Sequence, residues 1–176
     1  MNVIEGRIEE GKAVDPGARI AVVVSKFNRT LTDRLLDGAL KTLKAARVGE
    51  DEIDVYWVPG AFEIPCVAQR LAESGRYAGI ICLGVVIRGE TTHDQHINRT
   101  VAMLLGELGV RHSMPVIFGV LTCNTLEQAL ARSGGEPGTR GKDEKNAKVG
   151  NKGIECAEAL LEMLDLFRRL PPRGDS

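Results

Sequence analysis

His93 closes a short turn, Arg88-Gly89-Glu90-Thr91-Thr92-His93, that lies between a strongly apolar run and a helical pattern. Imidazole has an ordinary pKa close to neutrality, so a histidine placed there can give or take a proton during a reaction. In the same turn Gly89 frees the backbone and Thr91 and Thr92 offer hydroxyls. That combination suits a phosphate, held by backbone N–H groups at the positive end of a helix. Turns of this composition also serve merely as helix caps, and both readings stand at this point. His96 lies three residues beyond His93 and could share its helical face. With no third ligand evident, no metal site is expected.

Aromatic residues make up only 4% of the chain, which draws attention to Phe27, Phe62 and Phe118. Phe27 sits in a polar loop directly after an apolar run. It either caps the core or offers a stacking platform to a planar heterocycle. Glu63 opens a helix, where a carboxylate is favourable against the dipole, or else accepts hydrogen bonds from ligand hydroxyls.

The elements that must position these residues follow a repeating order. Arg19 to Ser25 (RIAVVVS) is β-branched and almost wholly apolar, as expected of a strand covered on both faces. Leu31 to Arg47 carries Leu31, Leu35, Leu36, Ala39, Leu40 and Leu43 at helical spacing, with Gly49 as a stop signal. Strands are then expected at Asp54 to Val58, Gly79 to Ile87 and Pro115 to Thr122. Helices are expected at Glu63 to Ser74, Gln95 to Leu108, Thr125 to Ser133 and Asn151 to Arg169. Strands alternating with helices imply βαβ units, hence an α/β fold: a parallel sheet with helices on both faces. Asn2 to Ile8 is expected to add an edge strand or to pair with a neighbouring subunit. A single domain over residues 1–169 is expected, with an exposed loop at 134–150 and a frayed tail from Leu170 to Ser176. In such sheets ligands bind outside the carboxyl ends of the strands. Lys26 to Asn28, Pro59 to Glu63, Arg88 to His93 and Cys123-Asn124 all fall at that edge.

Composition removes several classes of function. The formal net charge is −1, which gives no footprint for nucleic acid or an anionic membrane. No apolar run is long enough to span a bilayer, and Met1 to Lys12 lacks the hydrophobic stretch of a signal peptide, so a cytoplasmic protein is expected. Cys66, Cys82, Cys123 and Cys156 form no CxxC pair and lie in or beside apolar segments; buried, reduced thiols are expected. GxGxxG and GxSxG are absent. Gly135 to Lys142 misses the P-loop pattern, because Glu136 stands at a required position and Asp143 replaces Ser/Thr.

Taken in order, the motifs resemble those of lumazine synthases. Phe27-Asn28 resembles the family's Arg-Phe-Asn turn, with Lys26 for the usual arginine. Val58 to Pro65 (VPGAFEIP) matches its signature octet, and Leu83 to His93 (LGVVIRGETTH) resembles its substrate loop. Pro115 to Thr122, Leu126 to Gly134 and Asn151-Lys152-Gly153 match its C-terminal half. The resemblance covers about residues 1 to 169. It implies a three-layer α/β/α sandwich around a flavodoxin-like parallel sheet, and a transferase without cofactor or metal.

The implied reaction joins 5-amino-6-(D-ribitylamino)uracil to 3,4-dihydroxy-2-butanone 4-phosphate, giving 6,7-dimethyl-8-ribityllumazine, phosphate and water. Carried over, Phe27 stacks on the pyrimidine beside Ala61 and Phe62, and Glu63 binds ribityl hydroxyls. The backbone of Val85, Val86 and Ile87 reads the ring's polar edge. Glu90 and Thr91 lie at the phosphate turn, Arg132 clamps the phosphate, Lys152 adds charge, and His93 moves protons. Phe118 and Arg132 come from an adjacent copy in a pentamer. Three departures stand out: His93-Asp94-Gln95-His96-Ile97 where the family often has His-x-x-Tyr-Val, Ala131 for a frequent glutamate, and an insertion from Glu136 to Ala147. That long, highly charged insertion favours an isolated pentamer over the hollow shells some relatives build. A flavin- or pterin-binding module without turnover and a purely structural shell protein are the alternatives; neither accounts for His93 and Arg132 together.

Overall fold

Alternate residues of Arg19–Ser25 (β1) point to opposite faces, and both faces are covered. Ile20, Val22 and Val24 join one apolar cluster; Ala21 and Val23 join another. This two-sided burial explains why the strand is an unbroken apolar run. The computed structural model describes residues 7–8, 17–135 and 150–171. After β1 come α1 (Arg29–Ala45), β2 (Ile53–Val58), α2 (Ile64–Glu73), β3 (Tyr77–Ile87), α3 (His93–His112), β4 (Val116–Cys123), α4 (Leu126–Arg132) and α5 (Lys152–Arg169). The sheet order is β2-β1-β3-β4, with every pairing parallel.

One face of the sheet packs on α1 and α5 through Leu35, Leu43, Leu160 and Leu161, all fully buried. The other packs on α2 and α3 through Ile64, Ala68, Val101 and Leu105. The architecture is therefore the expected three-layer α/β/α sandwich. Each fully buried aliphatic side chain contributes about 1.5–3 kcal/mol over leaving it exposed. Helices α1 and α5 approach so closely that a Cβ on Gly153 would overlap the carbonyl oxygen of Leu35.

Several boundaries differ from the sequence pattern, each for a local reason. α1 begins at Arg29, because Asn28 adopts a left-handed conformation (φ 58°) and its carbonyl accepts from the N–H groups of Leu31 and Thr32. A single 3-10 turn, Ala61–Glu63, precedes α2. α3 runs from His93 to His112, longer at both ends than its apolar spacing marks. Its exposed Met103, Leu104 and Val110 blur that spacing. Not all the thiols are buried: Cys82 and Cys156 are, Cys123 is half-buried and Cys66 is exposed. Ile64, Pro65, Ala68, Leu71 and Ala72 occupy the inner face of α2, which turns Cys66 outward.

At the start of the strands a polar network ties three of them together. Arg19 on β1 grips Asp54 on β2 through two hydrogen bonds of 3.1 and 2.7 Å, and the Tyr77 hydroxyl of β3 donates to the same carboxylate at 2.7 Å. Of the expected N-terminal edge strand only Arg7 and Ile8 are described; they form no strand, and the Arg7 N–H donates to Asp165 of α5. Residues 136–149 and 172–176, within the expected loop and tail, lie outside the described residues. Among the described residues no helix is long and apolar enough to cross a membrane.

Candidate active site

β1 stops while its neighbour continues, and a cavity opens at the step. Pairing between β1 and β3 ends at Val24 and Leu83, whereas β3 runs on to Ile87 against β4. Residues of a parallel strand turn both peptide groups to one side, alternately left and right. Ile80 and Arg88 donate to carbonyls bordering β4, so the even positions face β4. Val85 and Ile87 therefore face the side that β1 has vacated, and the carbonyl of Val85 accepts there from Asn28 Nδ2 at 3.0 Å. Val86, whose peptide groups belong to the β4 ladder, borders the cavity by its side chain instead.

The loop after β1 is fixed by backbone contacts. Lys26 N–H donates to Val58 O at 2.8 Å and Phe27 N–H to Pro59 O at 3.0 Å, tying it to the loop after β2. Thr32 Oγ1 donates to Ser25 O at 2.8 Å from below. With its backbone so held, Phe27 is still 69% exposed. A phenylalanine capping the core would be buried, so that alternative falls.

Glu63 performs one of its two expected roles visibly. Its Oε2 accepts from Gly60 N–H at 2.8 Å, closing the 3-10 turn. Among the described residues Oε1 has no hydrogen-bond partner, and the side chain borders the cavity. Phe62, exposed beside it, completes that wall.

On the far wall Thr92 caps α3, and His93 is the first residue of that helix rather than part of the preceding turn. Thr91 Oγ1 accepts from His93 N–H at 3.4 Å. Nothing lies within 4 Å of where a Cβ on Gly89 would be, so the turn is open. The start of a twenty-residue helix, the positive end of its dipole, thus borders the cavity. Asp94 follows His93 on the same wall, with Oδ1 buried and unpartnered among the described residues.

The cavity so formed has a volume of about 510 Å3, within the range usual for small-molecule sites. It gathers Phe27, Ala61, Phe62, Glu63, Val85, Val86, Ile87, Thr91 and His93, all singled out in the sequence. Pro59, Gly60, Gly89, Asp94 and Ile97 also border it. Ile97 lies one helical turn beyond His93, a spacing that marks it once the helix is known to start at His93. Among the described residues no cluster of histidine, cysteine and acidic side chains could hold a metal ion.

Four expected residues stay outside. Glu90 is exposed in the turn but does not border the cavity. Phe118 pairs with Cys82 in mid-sheet on the edge strand β4 and is 39% exposed. Arg132 ends α4 and Lys152 begins α5. A short antiparallel bridge, Ser133 to Asn151, joins those two helix ends, so Arg132 and Lys152 flank it on opposite strands. Gly134 N–H donates to Gly150 O at 3.0 Å and Gly150 N–H to Ala131 O at 3.1 Å. Burial raises the pKa of the nearby Cys123 thiol, and the positive charge of Arg132 only partly opposes this.

Residues 17–168 match the model of one protein family, described as 6,7-dimethyl-8-ribityllumazine synthase.

Proposed function

The chain belongs to the 6,7-dimethyl-8-ribityllumazine synthase family, transferases of riboflavin biosynthesis, and from that premise we propose that its cavity condenses 5-amino-6-(D-ribitylamino)uracil with 3,4-dihydroxy-2-butanone 4-phosphate. The observation that carries this reading is the cavity itself. It sets an exposed aromatic face, a carboxylate with an open oxygen, a strand edge without a neighbour and a helix N-terminus around one volume.

Each wall matches one part of the two substrates. The Phe27 ring stacks on the pyrimidine, with Ala61 and Phe62 beside it. Peptide groups of Val85 and Ile87 meet the ring's polar edge, and Val86 packs against it. The open oxygen of Glu63 accepts from ribityl hydroxyls. The turn through Glu90 and Thr91 and the start of α3 receive the phosphate, where backbone N–H donors offset the carboxylate of Asp94. Arg132 and Lys152, outside this cavity in one chain, serve the cavity of an adjacent copy, together with Phe118. The unit is a pentamer in which every site draws on two copies.

The reaction is then a sequence of proton transfers between positioned reactants. The arylamine attacks the ketone, the carbinolamine loses water to an imine, phosphate leaves, and ring closure expels a second water. His93 moves protons at the carbinolamine and imine stages, help typically worth about 10²–10⁴-fold. Holding two reactants together supplies much of the remainder. Arg132 grips the phosphate through charge-assisted hydrogen bonds, which are the stronger class.

A two-substrate assay tests the proposal. Fluorescent lumazine and free phosphate should appear together, in equal amounts, and only when both substrates are present. Binding of the pyrimidine without product would replace the enzyme by a ligand-binding module.

A further inference from the structure

We propose that Asn151 is a positioning residue whose side-chain amide sets the spacing of Arg132 and Lys152, so that both cations meet the substrate phosphate as one preformed site. This rests on the assignment of those two cations to the phosphate. Neither cation is held by the other. Arg132 is exposed, and the Lys152 ammonium pairs at 2.9 Å with Glu155 of its own helix. Two like charges on flexible stems repel, so their separation must be fixed by the backbone beneath them. That backbone is the bridge between Ser133 and Asn151.

The Asn151 amide reaches three elements at once. Its Oδ1 accepts from Gly153 N–H at 2.8 Å, capping α5. Its Nδ2 donates to Arg34 O of α1 at 2.9 Å and, at a longer 3.4 Å, to Ser133 O at the end of α4. Gly38 leaves the room for this: a Cβ there would lie 2.6 Å from Asn151 Oδ1. Ser133 is almost fully buried, and its hydroxyl donates to Leu130 O at 3.2 Å, so the α4 side of the bridge is held as well. The amide thus anchors the residue before Lys152 to the residue after Arg132, and both to the body of the protein. A preformed pair of cations spends less of its binding energy on ordering itself around the anion.

Capping and positioning are separable by substitution. Serine is as good a helix N-cap as asparagine and is neutral, but it has no amide to donate to Arg34 O and Ser133 O. Asn151→Ser should raise KM for the butanone phosphate about tenfold, because the hydrogen bonds that fix the spacing are lost. Inhibition by inorganic phosphate should weaken in parallel, while kcat and KM for the pyrimidine stay within about twofold. Gly38→Ala, which leaves Asn151 in the chain but forces its amide aside, should give the same selective change. In an Arg132→Ala background, where only Lys152 is left to misplace, Asn151→Ser should add less than it does alone.

Unchanged KM for the butanone phosphate in a folded Asn151→Ser enzyme, equal rises for both substrates, or full additivity with Arg132→Ala would each overturn the proposal. If Arg132→Ala alone leaves that KM unaltered, the phosphate assignment itself fails. If Arg132→Ala raises it and Asn151→Ser does not, only the positioning role fails. Should neither Asn151→Ser nor Gly38→Ala fold, Asn151 acts in folding and the proposal is likewise overturned.

Discussion

Phe27 and Glu63 divide their bonding between the protein and the cavity. The Phe27 backbone is tied to Pro59 while its ring stands in the open; one Glu63 oxygen caps a turn while the other faces the cavity. His93 is different, because it is exposed at the head of α3 and, among the described residues, its ring has no hydrogen-bond partner. His93→Ala should therefore lower kcat by about 10²-fold, the low end for lost acid–base help, and leave pyrimidine affinity largely intact. Steady-state kinetics with a separate binding titration decide it, and an unchanged kcat would remove the role. Arg132→Ala should raise KM for the butanone phosphate far more than for the pyrimidine, by the about 1.5–3 kcal/mol of a hydrogen bond to a charged group. An equal loss for both substrates would point to a disturbed interface instead. Phe27, Glu63 and His93 were legible in the sequence because each is an unusual type at a strand's end. Arg132 and Lys152 are singled out only by resemblance, since nothing local marks a helix-terminal arginine or lysine as a ligand, and both lie outside the cavity. The uncovered edge at Val85 and Ile87 was not legible as such, because it depends on where β1 stops relative to β3.

The four strands were legible as elements because short β-branched apolar runs suit strands covered on both faces. The long α3 was legible only in its middle. Its buried face is narrow (Val101, Leu105 and Leu108), and the apolar residues on its open side carry the same signal without the same burial. The close contact of α1 with α5 is likewise invisible in sequence, yet it has a sharp consequence. Gly153→Ala would drive a methyl into the Leu35 carbonyl, a backbone atom that cannot rotate away. A loss of about 1–3 kcal/mol is expected, as for overpacked cores, read from urea unfolding; unaltered stability would show that α5 can shift.

Acid should also loosen the fold from two ends. Hydrogen bonds from Arg19 and then Tyr77 hold the Asp54 carboxyl below its usual range. Burial pushes Asp165 upward, but the Arg7 N–H and the Arg168 and Arg169 guanidinium groups outweigh it, and the net direction is also down. Groups with a depressed folded pKa contribute stability that is full above the unfolded value, about 3.9 for aspartate, and is lost as pH falls below it. Stability should thus be level above that value and decline beneath it. Asp54→Asn should flatten the decline in a series of unfolding curves, and an unaltered decline would count against the Asp54 network.

A single chain leaves apolar side chains on its surface, among them Phe118, Met103, Leu104 and Val110. Exposed groups of this size mark contact surfaces when they lie together. The same chain holds a cavity without its proposed phosphate clamp, and a clamp without a cavity. Self-association in a closed ring resolves both, since each copy can offer its edge to the cavity of the next. Mixing two impaired variants, assayed with the butanone phosphate well below its wild-type KM, tests this most directly. His93→Ala and Arg132→Ala, unfolded together and refolded as mixed assemblies, should regain activity in the two-substrate assay. A site is intact only where a copy retaining His93 adjoins one retaining Arg132 on the correct side. Equal mixing in a ring of head-to-tail contacts makes that about a quarter of all sites, so about a quarter of the wild-type rate is the predicted result. No recovery above the separately refolded variants, in assemblies shown to be mixed, would contradict a site shared between copies.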